Sequence, residues 1–273
     1  LFKEIASAIK NNPADYDQYV KNAMKQGLRY PDACNQALSL LLNKSIQTPN
    51  DLLGLGYVKE VINHDYPICL HCIQRSNDYH DTSLTKIASA TALRKALKEK
   101  QDVHDYLLDM SYYDHLYDQS NFFDYLKYQI IIQDIHHLKK IHLVDEGIEN
   151  LLKKVIFDTN SYEELVNSLT SKRYTKTRIQ RMLLHILMNN TKDEIKNCFP
   201  IDYILVLKMN QKGQKYLKTI KKTCSYHIIT NLSSYKHPAL DLEIKSSKLL
   251  SLIDHQMIKK EFQNIPVIEL SKR

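Results

Sequence analysis

Apolar residues recur every three or four positions along most of the chain, which is the spacing of one face of an amphipathic α-helix. In the first sixty residues, proline and glycine repeatedly interrupt this pattern. Because proline suits the first turn of a helix and glycine suits its end, this part predicts a series of short helices. They begin near Leu1, Pro13, Pro31 and Thr48, and the second ends near Gly27.

A different pattern follows between residues 66 and 97. Tyr66–Arg75 is short, apolar and compatible with a β-strand, so it predicts a buried strand that presents Arg75 at the edge of a sheet. A polar loop, 76–86, leads to Ile87–Leu97, where hydroxyl side chains precede an alanine-rich stretch. That order predicts the start of another helix.

Beyond residue 100 the pattern is mainly helical, with a small α/β element near the end. Tyr203–Lys208 and His227–Thr230 predict strands, and a helix predicted at Lys212–Lys222 between them is typical of a parallel βαβ crossover. We therefore predict an α/β, mostly helical protein with a domain boundary near residue 100. The other helices predicted here are 102–110, 120–140, 145–157, 161–169 and 174–191.

The composition narrows the class of protein. No apolar run approaches the ~18 residues of a membrane helix, and the first residues are amphipathic rather than typical of a signal peptide. The five cysteines are odd in number and scattered, which is typical of a reducing compartment. We therefore expect a cytoplasmic protein without a membrane partner.

Charge is unevenly distributed. The chain carries a net charge of +7, yet residues 171–222 alone carry thirteen Lys or Arg and three Asp or Glu. This segment therefore has a charge of +10 on a slightly acidic background. A concentrated basic segment indicates a polyanionic partner, but a solvated helix face would have the same composition. Charge alone leaves both interpretations open.

Glycine and cysteine exclude two kinds of site. The chain has five glycines, and its only close pair, Gly54 and Gly56, lies inside a helical pattern, so we expect no glycine-rich phosphate loop. Cys69 and Cys72 form a Cys-x-x-Cys on the predicted strand, where their side chains would point to opposite faces. We therefore predict no metal site.

A candidate anion site lies at the start of the helix predicted at Ile87–Leu97. Ser89 and Thr91 supply hydroxyls where the helix begins, and Arg94 follows one turn later. Together with the unpaired N–H groups of a helix amino end, these side chains could hold the phosphates of a nucleotide. A plain capped helix would show the same residues.

The same segment carries a family resemblance. Ile87–Arg94 resembles the Ile-Ser-Ser-x-x-Ile-Arg signature of the nucleotidyltransferase superfamily, although the partner motif of that signature, His-x-Gly-His, does not occur in this chain. Further segments are similar to blocks of the bacterial tRNA(Met) cytidine acetate ligases and occur in the order of that family. They are Pro49–Lys59, Arg75–Asp81, Asp145–Asn150, Ser171–Arg181 and Tyr203–Leu217.

The resemblance implies an ATP site. In the family pattern Asn50 and Arg75 are candidates for contacts with ATP, and the α/β part is a partial Rossmann-like core. An asparagine amide suits an adenine edge or a ribose, and a guanidinium suits a phosphate. Asn50 could instead cap a helix, and Arg75 could be a surface charge. The full set of candidates is Asn50, Arg75, Ser89, Thr91 and Arg94.

The resemblance also implies an RNA site in the basic segment. Cations there would neutralise tRNA phosphates, and Tyr174 could stack on a base. Alternatively, these cations could pair with acidic neighbours such as Glu163 and Glu164. The candidate RNA-binding residues are Lys172, Arg173, Tyr174, Lys176, Arg178 and Arg181.

Family membership would imply a two-step ligase reaction. ATP, with Mg²⁺ held mainly by the nucleotide, would activate acetate as acetyl-adenylate, and the acetyl group would pass to the wobble cytidine of elongator tRNA(Met). Residues 1–100 would then belong to the catalytic domain, and residues 101–273 would form the mainly helical tRNA-binding domain. We identify no catalytic side chain and no obligate protein partner.

The resemblance leaves an expectation and two alternatives. The family start with His-x-Gly-His would precede Leu1, so we expect the chain to lack the amino-terminal part and to form no acetyl-adenylate alone. The alternatives are another nucleotidyltransferase acting on a small molecule and a noncatalytic RNA-binding module. A long basic surface is unnecessary for a small substrate, and a pure RNA-binding module would bind no ATP.

Overall fold

The computed structural model describes residues 1–46, 48–73, 82–106, 117–171, 174–256 and 267–269. The chain forms two compact units, Leu1–Leu116 and Tyr117–Arg273. No helix of the described ranges is long and apolar enough to cross a membrane.

The regular secondary structure of the first unit is helical in its described residues. The predicted helices that begin near Leu1, Pro13, Pro31 and Thr48 are all present, and proline occupies the first turn of three of them. Their apolar faces enclose a core in which Ile5, Ala33, Ala37 and Leu38 are fully buried. The helices are α1 (Phe2–Asn11), α2 (Pro13–Lys25), α3 (Tyr30–Leu42), α4 (Pro49–Asn63) and α5 (Ala90–Lys98).

The pair of glycines lies within α4, as the pattern predicted. A Cβ atom added at Gly54 would lie 3.1 Å from Cε2 of Phe2, so this glycine lets the Phe2 ring pack directly on the α4 backbone. Gly56 faces open space, because nothing lies within 4 Å of its added Cβ. Gly54 therefore serves helix packing, whereas Gly56 has no packing contact.

The predicted buried strand Tyr66–Arg75 is wrong for its described part. Residues 66–73 form no strand, and Tyr66, Ile68 and Ile73 are exposed. A strand needs a partner for its backbone N–H and C=O groups, and no described strand pairs with this segment. Of the helix predicted at 102–110, His104–Tyr106 form one 3₁₀ turn, and residues 107–110 lie outside the described ranges.

The second unit packs helices around one larger core. Leu152, Leu165, Ile179, Met182 and Ile186 are fully buried there. The helix predicted at 120–140 is two helices, because Asp134 accepts a hydrogen bond from the backbone N–H of His137 at 2.7 Å and so starts a new helix. The helices are α6 (Phe123–Ile132), α7 (Ile135–Lys140), α8 (Ile148–Val155), α9 (Tyr162–Leu169), α10 (Lys176–Leu187), α11 (Lys192–Asn197), α12 (Gln211–Ile220) and α13 (Pro238–Leu250).

The predicted parallel βαβ crossover is confirmed. Strands β1 (Tyr203–Leu205) and β3 (His227–Ile229) pair in parallel, with Ile204 opposite Ile228, and α12 connects them. Strands β2 (Lys208–Asn210) and β4 (Val267–Glu269) form a second parallel pair. The prediction of a mostly helical α/β protein is therefore also confirmed.

Candidate nucleotide and RNA sites

The residue that caps α4 is Thr48 and not Asn50. The hydroxyl of Thr48 accepts a hydrogen bond from the backbone N–H of Asp51 at 3.2 Å, so Thr48 is the N-cap. Asn50 follows inside the first turn, and its side chain is exposed. The alternative that Asn50 caps the helix is therefore wrong, and its amide faces solvent. Arg75 lies outside the described residues.

The start of α5 carries the other three nucleotide candidates. Ser89 is the N-cap, because its hydroxyl accepts a hydrogen bond from the backbone N–H of Ala92 at 3.0 Å. Thr91 and Arg94 are exposed and lie three residues apart, so they share one face of the helix. A hydroxyl and a guanidinium next to a positive helix end could together bind an anion.

Tyr174 is buried, whereas stacking on a base, the role that we predicted for it, needs an exposed ring. It is only 9% exposed, and its hydroxyl lies 2.9 Å from the carbonyl oxygen of Asp145 and 3.0 Å from Oε2 of Glu146. The guanidinium of Arg178 stacks on its ring, 4.6 Å from the centroid. A buried ring with this neighbour cannot stack on a base, so Tyr174 instead positions Arg178.

Asp145 binds two cations that are distant in sequence. Its Oδ1 lies 2.8 Å from Nζ of Lys192, and its Oδ2 lies 4.0 Å from the guanidinium of Arg178. Lys192 also donates to the backbone carbonyls of Lys139 and Val144, at 2.8 and 2.9 Å. The acidic partner of Arg178 is therefore Asp145 and not Glu163 or Glu164, which we had considered.

Two further candidates of the basic run, Lys176 and Arg181, lie on α10. Thr175 caps this helix, and Lys176 and Arg181 are exposed. Arg178 and Arg181 are three residues apart, so both lie on the same side of α10, as the spacing predicted. Lys172 and Arg173 lie outside the described residues.

A cleft of about 470 Å³ lies beside Asp145 and includes the Asp145–Asn150 segment. Its wall contains Glu149, which is only 1% exposed and whose Oε1 lies 3.5 Å from Nζ of Lys139. Gly147 begins α8 with φ +86°, a left-handed conformation that favours glycine. The apolar periodicity predicted a helix here, but only the family resemblance indicated a functional role for the segment.

Two histidines pack edge to face next to this basic surface. The ring centroids of His142 and His185 are 4.7 Å apart. Burial lowers the pKa of His185 to about 4, and the nearby His142 and Arg181 act in the same direction. Burial also lowers the pKa of His142, while Asp145 opposes the change. Both rings are therefore neutral at pH 7, and the positive charge of this surface comes from Arg and Lys.

The cysteines show no metal-binding arrangement. Cys69 and Cys72 are exposed thiols in a segment without secondary structure, and not in a strand as we predicted. Within the described ranges, no group of three His, Cys, Asp or Glu side chains could hold a metal ion.

A comparison with protein-family models identifies the class of protein. The family model described as HIGH Nucleotidyl Transferase matches residues 1–264. The fold agrees with two crystal structures of Thermotoga maritima TmcAL. The apo form superposes with a TM-score of 0.80 at 24% identity, over 98% of this chain and 73% of that one. A form bound with alpha-thio ATP superposes with a TM-score of 0.77 at 23% identity, over the same shares of both chains.

Curated relatives then define the family. The chain is 34% identical to the tRNA(Met) cytidine acetate ligase of a Geobacillus strain, over 98% of this chain and 73% of that protein. It is 32% identical to the Bacillus subtilis enzyme of the same name, over 96% of this chain and 68% of that protein. The chain therefore belongs to the tRNA(Met) cytidine acetate ligase family, which confirms the predicted resemblance.

Proposed function

We propose that this protein is an ATP-dependent ligase that acetylates the wobble cytidine of elongator tRNA(Met). The observation that carries the proposal is the 34% identity to an enzyme of that name over nearly the whole chain. The relative solved with alpha-thio ATP supports ATP as the nucleotide. The five thiols, none in a disulfide, support action in the reducing cytoplasm.

The proposed reaction has two steps. A carboxylate oxygen of acetate attacks the α-phosphorus of ATP and releases pyrophosphate, which leaves acetyl-adenylate. The exocyclic amine of the cytidine then attacks the acetyl carbonyl, loses a proton and releases AMP, which gives N4-acetylcytidine. Mg²⁺ would be held mainly by the phosphates of the nucleotide.

Side chains of the first unit would bind the nucleotide. Thr91 and Arg94 would meet phosphate oxygens at the amino end of α5, where the helix dipole favours negative charge. The exposed amide of Asn50 would bind the adenine edge or the ribose, and Arg75 would contribute a further cation. Ser89 would keep the helix end in place by capping it.

Side chains of the second unit would bind the RNA. Arg178 is held by Tyr174 and Asp145, and the exposed Lys176 and Arg181 extend the same basic surface. Lys172 and Arg173 would add to it. These cations would neutralise phosphates on one side of the anticodon arm.

Deletion of the gene tests the proposal directly. Mass spectrometry of the nucleosides of purified elongator tRNA(Met) should show N4-acetylcytidine in the parent strain and none in the deletion strain. Restoring the gene should restore the modified nucleoside. Undiminished N4-acetylcytidine in the deletion strain would refute the proposed reaction.

Two binding measurements separate the alternatives. ATP titrated into the protein in a calorimeter should release or absorb heat, whereas a pure RNA-binding module should give none.

Arg178→Ala should weaken tRNA binding and lower its dependence on salt by about one counterion, with nucleotide binding unchanged. Equal loss of ATP and tRNA binding would contradict two separate sites, and a wild-type protein that binds ATP but no tRNA would favour a small-molecule nucleotidyltransferase.

A further inference from the structure

A second basic stretch of the chain, which contains no acidic residue, lies outside the Lys172–Arg181 run. Between Asp202 and Asp241 there are 38 residues and no Asp or Glu. The same stretch contains seven lysines, so its charge of +7 equals the net charge of the entire chain. These lysines are 208, 212, 215, 218, 221, 222 and 236.

Helix α12 places four of these lysines on one surface. Lys212, Lys215 and Lys218 follow at intervals of three residues, and Lys222 lies in the turn after the helix. At 1.5 Å per residue, this α12 lysine surface is about 15 Å long. The opposite face of α12 turns toward β2, because a Cβ added at Gly213 would meet Cβ of Met209 at 3.4 Å. The four lysines lie away from this side and are exposed.

The α12 lysines differ from Arg178 and Lys192 in their partners. All four are exposed, and none forms an ion pair with a described residue. Arg178 and Lys192, in contrast, share the carboxylate of Asp145. A cation already paired with a carboxylate gains less from a phosphate than a solvated one does. The α12 surface therefore keeps its full charge for a polyanion.

Aromatic side chains accompany this charge. Tyr216 lies on α12 next to the lysines and is 63% exposed, and Tyr226, just before β3, is 49% exposed. Exposed rings beside unpaired cations can stack on unpaired bases, and that combination is typical of surfaces that bind single-stranded nucleic acid.

We propose that the α12 lysine surface, Lys212, Lys215, Lys218 and Lys222, is a second RNA-binding surface that holds the phosphates of a single-stranded or looped segment, with Tyr216 stacking on a base. The proposal rests on the proposed function, since it assigns a further contact with the same tRNA. It also enlarges the expected footprint, since counterions would be released from α12 as well as from α10.

The test compares two variants with the same loss of charge. One replaces Lys212, Lys215, Lys218 and Lys222 by glutamine, and the control replaces four exposed lysines of other helices in this unit by glutamine. The probe is an in vitro transcript of elongator tRNA(Met), and its dissociation constant is measured over a range of salt concentrations. The control positions are Lys140, Lys154, Lys196 and Lys248.

The α12 variant should bind more weakly, and its log–log salt slope should be smaller by about three, since each lost phosphate contact removes about 0.7 to 0.9. The control should keep the wild-type slope.

Replacing the same four α12 lysines by arginine should restore binding, and Tyr216→Leu should weaken binding about tenfold without changing the slope. Circular dichroism verifies that each variant is folded, and Lys215→Gln with Lys218→Gln alone should give half the effect.

Four outcomes would overturn the inference. Equal slopes in the α12 variant and the control would mean that only net charge matters. An unchanged α12 variant together with a weakened Arg178→Ala variant would confine RNA binding to α10, and the proposed function would survive. If the α12 substitutions abolished binding to vesicles of anionic lipid but not to tRNA, the surface would serve a membrane. A wild-type protein that binds no tRNA would refute both this inference and tRNA binding in the proposed function.

Discussion

Acidification should destabilise the second unit through His185. In the folded protein burial lowers the pKa of His185 from an ordinary 6.5 to about 4. Above pH 6.5 the ring is neutral in both the folded and the unfolded chain, so it contributes no pH dependence. Between pH 6.5 and 4 the unfolded chain binds a proton that the folded chain does not, so the free energy of unfolding falls.

The size of this effect follows from the two pKa values. At pH 5 the linkage amounts to about 2 kcal/mol, and it approaches about 3 kcal/mol below pH 4. Because the ring is only partly buried, solvent screening reduces these figures, and we expect about 1 to 2 kcal/mol at pH 5. Other groups titrate in the same range, so the effect must be isolated by substitution.

His185→Gln isolates it, because glutamine does not titrate. The free energy of unfolding is measured by urea denaturation, followed by far-UV circular dichroism, at pH 7 and pH 5. The wild-type protein should lose about 1 to 2 kcal/mol more than His185→Gln over this interval. His136→Gln, which replaces an exposed histidine of the same unit, is the control and should behave like the wild-type protein. Identical losses in the wild-type and His185→Gln proteins would refute the reasoning.

Three further substitutions test the local architecture, each by urea denaturation. Thr48→Ala should destabilise the first unit by about 1 kcal/mol, because it removes the cap of α4, and an unchanged midpoint would contradict that role. Gly56→Ala should stabilise it by about 0.5 to 1 kcal/mol, since the site is helical and open; destabilisation would reveal a hidden contact. Tyr174→Phe should cost about 1 to 2 kcal/mol through the hydrogen bonds of its hydroxyl, and a neutral effect would show that water replaces them.

Local patterns in the sequence were sufficient to predict most of the helices and the late βαβ crossover, but not α11 and α13. Helix signals lie within one or two turns of the chain, as with Ser89 before α5 and Pro13 at the start of α2. The strand predicted at Tyr66–Arg75 failed because a strand depends on a partner elsewhere in the chain, which apolar content alone cannot reveal.

The sequence was sufficient to predict which residues make up the candidate RNA site, but not which acidic residues pair with its cations. The sequence indicated the basic run, and the structure assigns Arg178 to Asp145, which is 33 positions earlier. Tyr174 was misinterpreted because an aromatic side chain among cations fits both base stacking and core packing, and only its burial distinguishes them. The uninterrupted charge of α12 was visible in the sequence, whereas its lack of ionic partners needed the structure.

The carboxylate of Asp145 has a consequence for how the two basic surfaces would act on RNA. Since Arg178 pairs with this carboxylate and stacks on Tyr174, its side chain has less freedom to lose on binding RNA. The lysines of α12 keep theirs and can adapt to many phosphate arrangements. Arg178 would therefore favour one orientation of the tRNA, while the flexible lysines of α12 would bind it in many orientations.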